Sequence, residues 1–179
     1  MVKGSIRSGL LALGLVFCVG CDQAAKAIAR GTLASLPPIS LLGGAVRFEY
    51  VENPGAFLSL GADLPPQTRF LTGVVFVAAA LTALLVFLFR STSLSPGQNA
   101  GISLVLGGGL GNLIDRVANH GLVIDFVSVG IGPLRTGVFN VADLAITAGV
   151  LIVVVSGWRE TVGEVAGETV GETDPDPAG

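Results

Sequence analysis

The sequence predicts an all-α polytopic membrane protein: four transmembrane helices with a small β-layer on the outer side. Three observations predict it. The 179-residue chain is 51% hydrophobic and 13% charged, with a mean hydropathy of +0.76, which is too apolar for an ordinary soluble domain. Four apolar runs, at about 9–28, 70–89, 100–116 and 138–157, come near the ~20 residues a helix needs to cross hydrocarbon, the third being the shortest. The polar side chains in or beside these runs gather towards one end of each.

Backbone groups in lipid must find their partners within the segment, so the runs are expected to be helices. The first is interrupted by Asp22, Gln23 and Lys26, the second has no charge, the third closes on Asp115 and Arg116, and the fourth carries Asp143 near its start. Between the first two lies an outer loop, 30–69. Its Val46-Arg47-Phe48-Glu49-Tyr50 alternates like a half-buried strand, and Asn53-Pro54-Gly55 follows as a turn. The second outer loop, 117–137, contains the β-branched segment 123–129, a candidate strand beside the first. Residues 159–179 hold six of the chain's thirteen acids and the near-repeat Thr161-Val162-Gly163-Glu164, Thr169-Val170-Gly171-Glu172. They are expected to be a disordered cytoplasmic tail outside a membrane domain of residues 1–158.

Lys3, Arg7 and Arg90 favour a cytoplasmic amino terminus, against Arg30, Arg47, Arg69 and Arg135 on the other side. With four spans the carboxyl terminus returns to the cytoplasm. The net charge of −3 resides largely in the tail, and no basic cluster offers a surface to nucleic acid. Cys18 and Cys21 are spaced as C-x-x-C but lie in an apolar run, where they read as lipid- or core-facing. One histidine, His120, leaves zinc without ligands, so no metal and no cofactor are expected.

Successive spans run in opposite directions, and this alternation sorts the polar groups. Asp22 and Lys26 near the end of the first span, Asn112, Asp115 and Arg116 at the end of the third, and Asp143 at the start of the fourth fall at one level. Asn53 and Asp125 lie in the two loops on that same side. A carboxylate at a bilayer centre costs roughly 2.5–3.5 kcal/mol on insertion scales and less near an interface. Two aspartates at the edge of a hydrophobic wall therefore suggest acid/base chemistry. Structural roles stand beside that reading: Asp22 and Lys26 can form an i,i+4 ion pair, and Asn112, Asp115 and Arg116 can be interface anchors. The Gly107-Gly108-Gly109 and Gly111 stretch lacks the Lys-Ser/Thr of a phosphate loop and suits close helix packing. Lys3, Arg7 and Val19-Gly20-Cys21 also read as a bacterial lipoprotein signal, but Cys18 stands where leucine is usual and three more spans follow. A small ion-coupled transporter is the rival from another class. It should carry polar groups through the depth of the membrane, and the uncharged second run does not.

Five motifs in order resemble one family, the lipoprotein signal peptidases (signal peptidase II). They are Asp22-Gln23-x-x-Lys26, Asn53-Pro54-Gly55-Ala56-Phe57, Gly108 through Gly111-Asn112-Leu113-Ile114-Asp115-Arg116, Val123-Ile124-Asp125-Phe126, and Phe139-Asn140-Val141-Ala142-Asp143. The resemblance covers about residues 10–157. It implies four membrane helices, both termini cytoplasmic, a small extracytoplasmic β-layer, and a multi-pass protein of the bacterial inner membrane working near its outer face. It implies an aspartyl endopeptidase that removes prolipoprotein signal peptides before the diacylglyceryl-modified cysteine. Asp125 and Asp143 would be the catalytic pair; Asn53, Gly55, Asn112, Arg116 and Asn140 would position dyad and substrate; Asp22 with Lys26 would shape the site. The implied partners are lipid-modified prolipoproteins, membrane lipid and globomycin-type inhibitors, with the enzyme a monomer. Many members read Asn-x-Gly-Ala-Ala-Phe, whereas here Phe57 follows Ala56 directly, a change in the loop that would close over substrate.

Overall fold

The computed structural model describes residues 2–55 and 65–171, with backbone alone at 2–11, 66, 69 and 161–171. Ala56 and Phe57, and with them the departure from the family's loop pattern, lie outside the described residues. The chain runs α1 (Val2–Leu33), β1 (Ile39–Leu41), β2 (Val46–Asn53), α2 (Pro66–Phe70), a π-helical turn (Leu71–Phe76), α3 (Val77–Arg90), α4 (Pro96–Ala118), β3 (Val123–Ile131), β4 (Leu134–Arg135) and α5 (Val141–Gly171).

Among the described residues, three helices are long and apolar enough to cross a membrane: Ala12–Leu33, Leu71–Arg90 and Val141–Glu160. They expose large apolar side chains such as Phe17, Phe76, Leu151 and Trp158, which water would not tolerate in such number. The fourth expected span corresponds to α4, 23 residues long, whose hydropathy is diluted by glycines and by Asn112, Asp115 and Arg116. It is the central helix, packed against α1, α3 and α5. Ser95 and Gln98 start it with a capping box and Pro96 takes the first turn. Leu88, Ile102 and Leu106 form the buried core where α3 meets α4, with Leu15 of α1 and Val153 of α5 against them.

The glycines of α4 explain how four helices converge on one axis. A Cβ at Gly107 would stand 2.9 Å from Cys18 of α1, at Gly109 2.6 Å from Leu81 of α3, and at Gly111 2.6 Å from Asp22. At Gly108 it would strike the carbonyl of Ala142 on α5. Close helix packing, rather than a phosphate loop, is the role of this stretch. Cys18 therefore faces α4 while Cys21 is exposed, and neither is bonded to another cysteine.

The two loops meet in a four-stranded antiparallel sheet of order β1-β2-β3-β4. The strands expected at 46–50 and 123–129 pair directly, Val46 opposite Val129 and Phe48 opposite Val127. Between Phe48 and Val51 the register shifts, so that Val51 faces Asp125 and Asn53 faces Val123. Such a bulge re-aims side chains, and here it lies beside the acid of β3.

One expectation is corrected. A disordered tail from Arg159 is not what residues 159–171 form: α5 continues through them to Gly171. Extending an existing helix needs no new nucleus, and the Glu, Ala and Arg of this stretch are good helix formers. Residues 172–179 lie outside the described residues.

Candidate active site

The beginning of α5 shows how sequence places an acid. Asn140 is the N-cap and Asp143 stands three residues on. Asn140 Oδ1 accepts the Asp143 N–H at 2.9 Å, and Asp143 Oδ2 accepts the Asn140 N–H at 3.2 Å. This reciprocal capping satisfies two donors that a helix start leaves open. A third, the Ala142 N–H, is taken by Asp22 Oδ1 from α1 at 2.8 Å. Asp143 thus stands at the positive end of α5, which favours negative charge.

Asp125 arrives from β3. Asn140 Nδ2 donates to its Oδ1 at 2.7 Å and Asn53 Nδ2 to its Oδ2 at 2.8 Å. Asn53 is itself fixed by a tight turn in which its Oδ1 accepts the Gly55 N–H at 2.9 Å. Burial pushes the Asp125 carboxyl up to about 6; the Asn53 hydrogen bond pulls it down, the Asp143 charge raises it and the Asn140 bond lowers it. Asn112 completes the link from α4: its Nδ2 donates to Asp143 Oδ1 at 2.9 Å, and its Oδ1 accepts from Lys26 Nζ at 2.9 Å and from Asn140 Nδ2 at 3.1 Å. Arg116 donates to the Asn112 carbonyl at 3.3 Å and to the Gly55 carbonyl at 3.2 Å, passing beneath Gly73 of the π-helical turn.

Asp125, Asp143, Asn53, Gly55, Asn112 and Arg116 line one cavity of about 600 Å³. Its remaining wall is mainly apolar, including Val77, Val129, Val138, Phe139 and Leu144. Asn140 is buried behind the two acids. Asp22 and Lys26 do not line this cavity. They form a buried ion pair of 2.7 Å in the layer beneath it, the i,i+4 pair that their spacing allows. The sequence reading of candidate site residues omitted Asp115, which the structure places at the heart of the buried layer. It pairs with Lys26 at 3.0 Å and accepts from Gln23 Nε2 at 3.0 Å and from the Ile124 N–H at 3.0 Å. Its signal was its place beside Arg116, where it read as an interface anchor.

Two carboxyl groups, the four donors that hold them and a largely apolar wall form a site suited to moving protons at a bond held in an apolar segment. The comparisons agree with that chemistry. The family model described as Signal peptidase (SPase) II matches residues 14–159. The chain is 34% identical to a lipoprotein signal peptidase of Sphingopyxis alaskensis over 97% of this chain and 98% of that one. It is 38% identical to a lipoprotein signal peptidase of Treponema pallidum over 81% of this chain and 80% of that one. Among solved structures, a bacterial membrane enzyme determined by the in meso method superposes with a TM-score of 0.70 at 29% identity, covering 83% of this chain and 92% of that chain. Another bacterial membrane enzyme, at 24% identity, shares the fold with a TM-score of 0.71 over 95% of both chains.

Proposed function

Because this chain belongs to the signal peptidase II family, an aspartic-type peptidase family that removes signal peptides from prolipoproteins, we propose that Asp125 and Asp143 are its catalytic pair. The observation that carries the assignment is Asn140: its backbone N–H reaches Asp143 while its side-chain amide reaches Asp125, joining carboxylates from two separate elements at one cavity.

The pair works with one shared proton, since neighbouring carboxylates resist double ionisation. We place that proton on Asp125, the more deeply buried of the two, and the charge on Asp143, which stands half-buried at the positive end of α5. The ionised Asp143 takes a proton from water as the water oxygen attacks the scissile carbonyl, and Asp125 gives its proton to the carbonyl oxygen. As the tetrahedral carbon collapses, the C–N bond breaks and the nitrogen leaves with the proton held by Asp143. The hydroxyl proton returns to Asp125, restoring the pair. Asn53, Asn112 and Asn140 hold the two carboxyls in position. Arg116, with Gly55 at its guanidinium, orients the loop that meets substrate.

The bond cut is the one before the diacylglyceryl-modified cysteine. The apolar wall suits the signal segment that precedes it, and anchoring of both partners in the bilayer supplies orientation without further binding surface. In the arrangement we infer, α4 is the fourth span, sheathed by the three more apolar helices. Both termini are cytoplasmic and the cavity opens near the outer face of the inner membrane. The enzyme acts as a monomer in contact with lipid, and globomycin-type inhibitors occupy the cavity.

The test is a gel-shift assay of a lipidated precursor with purified, reconstituted protein. Asp125→Asn and Asp143→Asn should each lower processing by at least ~10³-fold, the upper part of the range for a lost acid or base, while still inserting. Near-normal processing by either variant would refute the pairing.

A further inference from the structure

Two carboxylates outside the cavity perform matching tasks on the two halves of the site. Asp22 Oδ1 accepts the N–H of Ala142, the residue immediately before Asp143, at 2.8 Å. Asp115 Oδ2 accepts the N–H of Ile124, the residue immediately before Asp125, at 3.0 Å. One ammonium joins them: Lys26 Nζ lies 2.7 Å from Asp22 Oδ2 and 3.0 Å from Asp115 Oδ2. It makes its remaining contact with Asn112 Oδ1 at 2.9 Å, and the other end of that amide holds Asp143. Asp22, Lys26 and Asp115 are 0%, 2% and 3% exposed.

We propose that Asp115 is a positioning residue for the peptidase reaction, coupled through Lys26 to Asp22 so that the peptide units preceding Asp125 and Asp143 are held at one fixed separation. The inference rests on the catalytic pairing proposed above. An ammonium has three donors and all three are directed here, so neither carboxylate can shift without the other. Gln23 fixes the second oxygen of Asp115, which leaves the carboxylate no free rotation. Replacing a buried ion cluster by apolar side chains is often neutral or favourable to stability. Its use here is therefore sought in geometry, and a proton-sharing pair demands geometry: a displacement of about 1 Å at a reacting group can lower the rate about 10²-fold.

The experiment compares Asp115→Asn and Asp115→Glu with wild type, each purified in detergent, by melting temperature and by kcat and KM on a lipidated precursor. Asp115→Asn should lose about 10- to 100-fold in kcat with KM within about twofold, at a melting temperature near that of wild type. Asp115→Glu keeps the charge opposite Lys26 but moves the acceptor by one methylene, so its kcat should stay low. A role limited to neutralising Lys26 would instead be rescued by glutamate, and wild-type kcat in either variant overturns the proposal. Should neither variant fold, hydrogen exchange on the wild-type protein reads the same contacts. Slow exchange is expected at the Ile124 and Ala142 amides, and rapid exchange at either overturns the coupling. Asp125→Asn runs alongside: if it is active the catalytic pairing itself fails, whereas if it is inactive and Asp115→Asn is normal only the positioning role fails.

Discussion

Asn140 shows how much one side chain of modest polarity can organise. Its oxygen caps α5 and its amide reaches Asp125, Asn112 and the Ile124 carbonyl. Alanine there would free the start of α5 and leave Asp125 with one amide donor fewer, and a cap alone is worth about 1 kcal/mol. Asn53 gives the cleaner prediction because its amide donates directly to Asp125 and it caps no helix. Its amide favours the ionised carboxylate, so its removal makes the proton harder to lose. The alkaline limb of kcat/KM reports loss of the shared proton. It should lie at about 6 in the wild type, because kcat/KM follows the groups of the free enzyme. In Asn53→Ala the limb should move to higher pH, and a pH–rate profile with an unmoved or lowered limb would contradict the role given to Asn53.

At the scale of elements, α4 governs the arrangement because α1, α3 and α5 each approach it through a missing side chain. The contacts differ in how they can yield. Gly109 meets the mobile end of Leu81, whereas Gly108 meets backbone of α5 one residue before Asp143. Gly109→Ala should therefore change stability by less than ~1 kcal/mol. Gly108→Ala should destabilise by about 1–3 kcal/mol and lower activity by moving α5. Thermal unfolding in detergent, paired with the processing assay, separates the two. The four runs of apolar residues were legible as helices from their length and charge pattern, and the two strands from alternation and β-branching. The length of α5 was not legible, because glycine-rich acidic sequence reads as unstructured when the helix it continues is left out of account. The π-helical turn at 71–76 was equally invisible: nothing in Leu71-Thr72-Gly73 announces that Arg116 must pass beneath it.

At the scale of the whole molecule, the outer loops close into one sheet and deliver Asn53 and Asp125 to the cavity from different parts of the chain. The inferred topology is measurable. In a variant lacking Cys18 and Cys21, a cysteine at Thr92, exposed between α3 and α4, should react with impermeant reagents only from the cytoplasm. A cysteine at Ile131, 85% exposed at the sheet's edge, should react only from outside. Labelling of both from one side would refute four spans. Processing should also persist in EDTA and stop with globomycin; inhibition by the chelator would demand a metal-based mechanism.

By itself the sequence determined that the chain belongs in lipid and that its acids and amides collect at one end of the spans. Hydrophobicity and its period are local properties, carried by residues whatever surrounds them. The motif order further narrowed the chemistry to a pair of aspartates. Only the tertiary structure gave the four acids different surroundings. Asp22 and Asp115 are chemically the same as Asp125 and Asp143, and each lies in a motif of the same family. What separates them is that two are enclosed around Lys26 while two face the cavity, and burial and pairing exist only once distant segments meet.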